Sequence, residues 1–170
     1  MPSVLLERVW WRERNNMKNL FKKFGVSSYT SVIAIIMTII SLIVYVVNSN
    51  LVYFRNLNSD VITYTVLALV FILASFVLSM FFGDKWFIGI GELLSAIFLT
   101  LAVTIAIIDR STAIGFVWFS NLEADNKDAV FALNQSVIFM VTYLIALISV
   151  IVGSFFKFIR KPKVELNIVA

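Results

Sequence analysis

Four long apolar runs, residues 31–47, 61–82, 86–108 and 129–156, constrain this chain more than any other feature of it. At 1.5 Å per residue, about 20 helical residues cross a hydrocarbon core of about 30 Å, and in lipid only the helix lets a continuous apolar segment satisfy its own backbone. The expected fold is all-α: a polytopic membrane protein with four transmembrane helices in an antiparallel bundle. Hydrophobic residues supply 61% of the 170 positions and charged ones 14%, which excludes an ordinary soluble domain. No small-residue cleavage pattern follows the first run, where the chain reads VVNSNLVYF, so that run is expected to be a retained span rather than a signal peptide. Cysteine and histidine are both absent. Disulfides, thiol chemistry, imidazole bases and the usual transition-metal ligands go with them, and no cofactor or metal is expected.

The basic residues orient the spans. Arg8, Arg12, Arg14, Lys18, Lys22, Lys23, Lys85, Lys157, Arg160, Lys161 and Lys163 fall on the side of the two termini, and only Arg55, Arg110 and Lys127 on the other. The positive-inside rule then predicts that both termini are cytoplasmic, in a cell (plasma) membrane. Clusters such as KKF and RKPK beside a span favour a bilayer with anionic headgroups as partner, at about 1 kcal/mol per charge. They flank hydrophobic runs and match no nucleic-acid reading motif, so no nucleic acid is expected.

Residues 1–28 read as a basic cytoplasmic or interfacial arm, 29–157 as the four-helix transmembrane domain and 158–170 as a short basic tail. Met17, opening MKNLFKKFG, serves equally well as a beginning. If residues 1–16 belong to the natural protein, Val4, Leu5, Val9 and Trp10 against Glu7, Arg8, Arg12 and Arg14 make a short amphipathic interfacial helix. The segment NSNLVYFRNLNSD reads as a turn with interfacial aromatics, and DRSTAIGFVWFSNLEADNKDAV as the one sizeable loop. In that loop Phe116, Val117, Trp118 and Phe119 form an apolar patch that either caps the bundle or offers a partner surface, and Asp125 or Asn126 starts the last helix. The acids Asp109, Glu123, Asp125 and Asp128 fit no calcium-loop spacing.

Glu92 is the acid within the third run. At 100° per residue Gly91, Ala102, Ser95, Ala106, Ile88, Leu99 and Glu92 share one arc, with Glu92 at its edge, while Ile90, Leu94, Ile97, Leu101 and Ile105 lie opposite. Small residues four apart, Gly91 with Ser95 and Ala102 with Ala106, let another helix approach, so this arc is expected to face inward. Glu92 lies about 9 Å beyond Trp86 along the helix, where an unpaired carboxylate costs several kcal/mol. The expected partners are Lys85, Lys157 or the hydroxyls of Ser75, Ser79 and Ser149. Either Glu92 carries a proton or cation, or it fixes packing. Asn134 and Gln135, with Thr100 and Thr104, either line a cavity at the opposite end or bond between helices.

No nucleophile with its base, carboxylate pair or phosphate-binding loop is legible, so no enzyme is expected. Two readings remain. One is a non-catalytic structural, accessory or interaction module, packing with copies of itself or with a larger membrane protein. The other is a small oligomeric transporter or channel with Glu92 as its coupling acid. The chain is similar in size and helix count to small multidrug transporters, which carry their essential glutamate in the first span; here that span has none. Over residues 18–160, KKFGVSSYTSVIAIIMTIISLIVYVVNSN with a last span ending GSFFKF resembles small bacterial four-span membrane proteins of uncharacterised function. That resemblance implies a bacterial membrane address and no functional motif.

Overall fold

The computed structural model describes residues 25–82, 86–119 and 125–156. They form four helices: α1 (Val26–Ser49), α2 (Ser59–Phe82), α3 (Trp86–Phe119) and α4 (Lys127–Ser154). Each is long and apolar enough to cross a membrane, which supports a multi-pass membrane protein. Isoleucine and valine are mediocre helix formers in water, but a lipid environment leaves the backbone no other way to pair its N–H and C=O groups.

Helix ends follow from local chemistry. Asn126 caps α4, its side-chain oxygen accepting from the N–H groups of Asp128 (3.2 Å) and Ala129 (3.3 Å). Helix α1 begins at Val26, ahead of the apolar run, behind Gly25 in an extended conformation. The largest departure from expectation is α3. It continues eleven residues past Ile108, so most of the expected loop is helix. Its 34 residues measure about 51 Å, well beyond a hydrocarbon core of about 30 Å. The extension is held because Val117 is buried against Ala129 and Leu133 of α4, with Tyr53, Ile114 and Val130 around them.

The interior repeats with a period of 3.5 residues. In α1 the buried positions include Ser27, Ser31, Ala34, Thr38, Ser41, Tyr45 and Asn48, with Ser28 and Ser49 beside them, and in α2 they are Val61, Thr65, Ala68, Ile72, Ser75 and Ser79. In α4 they include Ala132, Ser136, Phe139, Tyr143, Ala146, Val150 and Gly153. Alternating steps of four and three keep one seam facing the partner helix only if the helices wind gently left-handed. Helix α1 packs mainly on α4 and α2 mainly on α3; α3 also packs on α4, and α1 on α2 over a shorter stretch. Helices α1 and α3 therefore face each other across the diagonal.

The two main pairs are filled differently. Between α1 and α4, Ser41 Oγ donates to Thr142 Oγ1 (2.7 Å), Ser136 Oγ to Asn48 Oδ1 (3.1 Å) and Asn48 Nδ2 to the Ala132 carbonyl (2.7 Å). Between α2 and α3 the contact is aromatic, Phe98 stacking on Phe71 (5.6 Å) and Tyr64 (6.2 Å). Glycine sets the closest approaches. A Cβ on Gly153 would lie 2.6 Å from Thr30 Oγ1, and one on Gly91 would collide with Ser75 Oγ.

Candidate functional site

Two charged side chains are buried on one face of α3. Glu92 is 6% exposed and Arg110 1%. They are 18 residues apart, about five turns and about 27 Å, so they point the same way from opposite ends of the bundle. Both reach across the diagonal to a serine of α1, Glu92 to Ser27 and Arg110 to Ser49.

At the first end, Ser27 Oγ donates to Glu92 Oε1 (3.3 Å) and Ser95 Oγ to the Glu92 carbonyl (2.7 Å). Glu92 is buried on the packed face, though more exposed than Ile88, Ser95, Leu99, Ala102 and Ala106. Its hydroxyl partner comes from α1, because the diagonal contact places the first turn of α1 beside it. Of the hydroxyls expected there, Ser75 Oγ instead meets the Ile88 carbonyl (3.5 Å), Ser79 the Phe76 carbonyl (2.7 Å) and Ser149 the Ile145 carbonyl (2.7 Å). Lys85 and Lys157 lie outside the described residues. Ser95, Ala102 and Ala106 are buried on the same face and Gly91 is half-buried against Ser75.

At the other end the enclosure is built by the loop between α1 and α2. Arg110 Nη2 donates to Ser49 Oγ (2.7 Å) and to the Asn56 carbonyl (3.1 Å). The Phe54 ring covers the guanidinium at 4.1 Å, with Tyr45 at 5.9 Å. A desolvated cation over an aromatic face gains about 2 kcal/mol, part of what is needed to hold a charge at this depth. Arg110 Nε has no hydrogen-bond partner among the described residues. Asn58 fixes the far end of the loop: its Nδ2 donates to Asp109 (2.8 Å), its Oδ1 accepts from Asp60 N–H (3.0 Å), and its N–H donates to the Tyr45 hydroxyl (3.1 Å). Between Phe54 and Asn56, Arg55 has φ of 40°, a left-handed conformation that costs a non-glycine residue about 1–3 kcal/mol.

Asn134 is exposed and Gln135 half-buried, with Gln135 Oε1 lacking a partner among the described residues. Thr100 and Thr104 are exposed, Thr100 folding onto the Ala96 carbonyl (2.7 Å). The buried polar groups nearby are Asn48, Ser136 and the Thr65–Tyr143 hydroxyl pair (2.8 Å). Phe116, Trp118 and Phe119 are exposed on the extension of α3, Phe119 at 86%. Among the described residues no three acids gather to hold a metal.

Sequence reasoning missed Arg110 and its loop. A signal was present: 18 residues is a whole number of turns, which places Arg110 on the face of Glu92. The spacing of serines, threonines and Asn48 along the first run was a second signal, marking α1 as the helix that supplies polar partners. No protein-family model, curated protein or solved structure matches the chain.

Proposed function

We propose that this protein is a non-catalytic, multi-pass module of a bacterial plasma membrane that serves as an accessory or interaction subunit of a larger membrane assembly. The observation that carries this is the use made of its interior polar groups. Ser41 with Thr142, Asn48 with Ser136 and Ala132, and Thr65 with Tyr143 are spent on one another across helix contacts, where they bind the bundle together. Large apolar side chains dominate the outward face of the spans, with Thr100, Thr104 and Asn134 among them, and the α3 extension exposes Phe116, Trp118 and Phe119.

In this proposal the helices run antiparallel with both termini cytoplasmic. Support comes from the charge asymmetry of the sequence and from contacts that set Thr30, early in α1, against Gly153, late in α4. A protease applied outside intact cells leaves a tag on the last residue untouched if this orientation holds. A larger subunit co-purifies with the wild type in fixed proportion and is lost when Trp118 and Phe119 are both replaced by serine; retention of that subunit defeats the interaction surface.

A second reading rests on one observation, the burial of Glu92 inside the bundle rather than toward lipid. A carboxyl so placed suits a coupling acid in an oligomeric transporter. Proton-driven cation flux into vesicles, present in wild type and abolished in Glu92→Gln, would decide for the transporter and against the module.

A further inference from the structure

Arg110 is permanently charged, yet among the described residues its hydrogen-bond and ring partners are neutral: Ser49 Oγ, the Asn56 carbonyl, Phe54 and Tyr45. The adjacent carboxylate, Asp109, accepts from Asn58 Nδ2. We propose that this end of the bundle is an oxyanion-binding site centred on Arg110, and that the loop over residues 50–58 is a strap which the anion displaces.

The guanidinium supplies the first argument. Its Nε and Nη2 protons lie along one edge of a planar fork, the spacing that two oxygens of a carboxylate or phosphate match. In the strapped state Nη2 is occupied by neutral oxygens and Nε, though buried, by nothing among the described residues. An oxyanion on that edge accepts a hydrogen bond from the Nε N–H and replaces the Asn56 carbonyl as an acceptor from Nη2, exchanging a neutral acceptor for a charged one.

The strap supplies the second. The two groups that shield the cation, the Phe54 ring and the Asn56 carbonyl, sit on either side of Arg55, the one non-glycine residue with positive φ among those described. Straightening Arg55 lifts both shields together and relieves the backbone. The anchors stay in place, because Ser49 belongs to α1 and Asn58 is clipped to Asp109 and to the start of α2. Arg55 is exposed, so its own charge draws anions to the mouth of the site. Phosphate chemistry is shared by free phosphate and by phospholipid headgroups, and the experiment separates them.

Amide hydrogen exchange across residues 51–57 of the full chain, in discs of zwitterionic lipid, reads the strap directly. Inorganic phosphate, or replacement of part of the lipid by phosphatidylglycerol, is expected to accelerate exchange about fivefold or more in the wild type. Acceleration by phosphate alone assigns a free anion, and acceleration by phosphatidylglycerol alone assigns a headgroup. Arg110→Lys keeps the charge without the fork and is expected to lose most of the response. Arg55→Gly, which leaves every shielding group in place, is expected to slow basal exchange and blunt the response. The proposal is overturned if exchange is unchanged in both arms, if sodium chloride at equal ionic strength gives the same acceleration, or if Arg55→Gly responds as the wild type does.

Discussion

The Glu92 end and the Arg110 end of the bundle solve one problem in two ways. Each buries a charge on the same face of α3 and each answers it with a serine of α1. Among the described residues the Glu92 carboxyl accepts from a side chain that rides on a helix, Ser27 in the first turn of α1. Arg110 is met chiefly by a connecting loop, through a carbonyl and an aromatic ring that the chain must bend to deliver. The difference teaches that the acid end depends on how the helices pack, whereas the cationic end depends on how one short loop is folded.

The largest effect should come from Arg110→Ala, which removes packing as well as hydrogen bonds and leaves Ser49 and Asn56 without their donor. We expect about 3 kcal/mol of lost stability in detergent unfolding titrations, with exchange in the 50–58 loop rising far more than in the helices. Equal loosening at the Glu92 end would break the contrast. Gly153→Val tests the helix-packed end, since the added side chain meets Thr30 Oγ1 at once. A loss of about 2 kcal/mol is expected, with the loop unaffected. Asn58→Ala removes the cap on Asp60 N–H and the clip to Asp109 together. About 1–2 kcal/mol should be lost, visible mainly as disorder at the start of α2 in exchange or NMR measurements. The smallest change is expected from Glu92→Gln, whose amide oxygen still accepts from Ser27. Stability within about 1 kcal/mol of wild type would sharpen the packing view of this residue; a loss several times larger would show that its charge is needed for the fold.

Much of this was legible beforehand, and the part that was not has a common cause. Four apolar runs announced four helices, and the arc through Glu92, Ser95, Ala102 and Ala106 named the residues that α3 buries. Hydropathy, however, weighs residues one at a time, so Asp109 and Arg110 looked like the end of a span. A helix can carry an arginine onward when a ring, a hydroxyl and a carbonyl wait for it, and those lie more than fifty residues earlier in the chain. The partner of Glu92 was hidden for the same reason. Ser27 sits ahead of the first apolar run, and only the diagonal relation of α1 and α3 brings it close.

The heavy reliance of α1 on α4 bears on how the protein is made. Of the four described helices α1 is synthesised first, and its principal neighbour, α4, last. In the interval its hydroxyls need not search for company. Ser31 and Thr38 donate to carbonyls of their own helix, at 2.8 and 2.7 Å, so a lone α1 can rest among acyl chains until its counterpart is threaded in. Asn48, whose carboxamide is satisfied by α4, is then the residue that makes waiting costly and late assembly favourable.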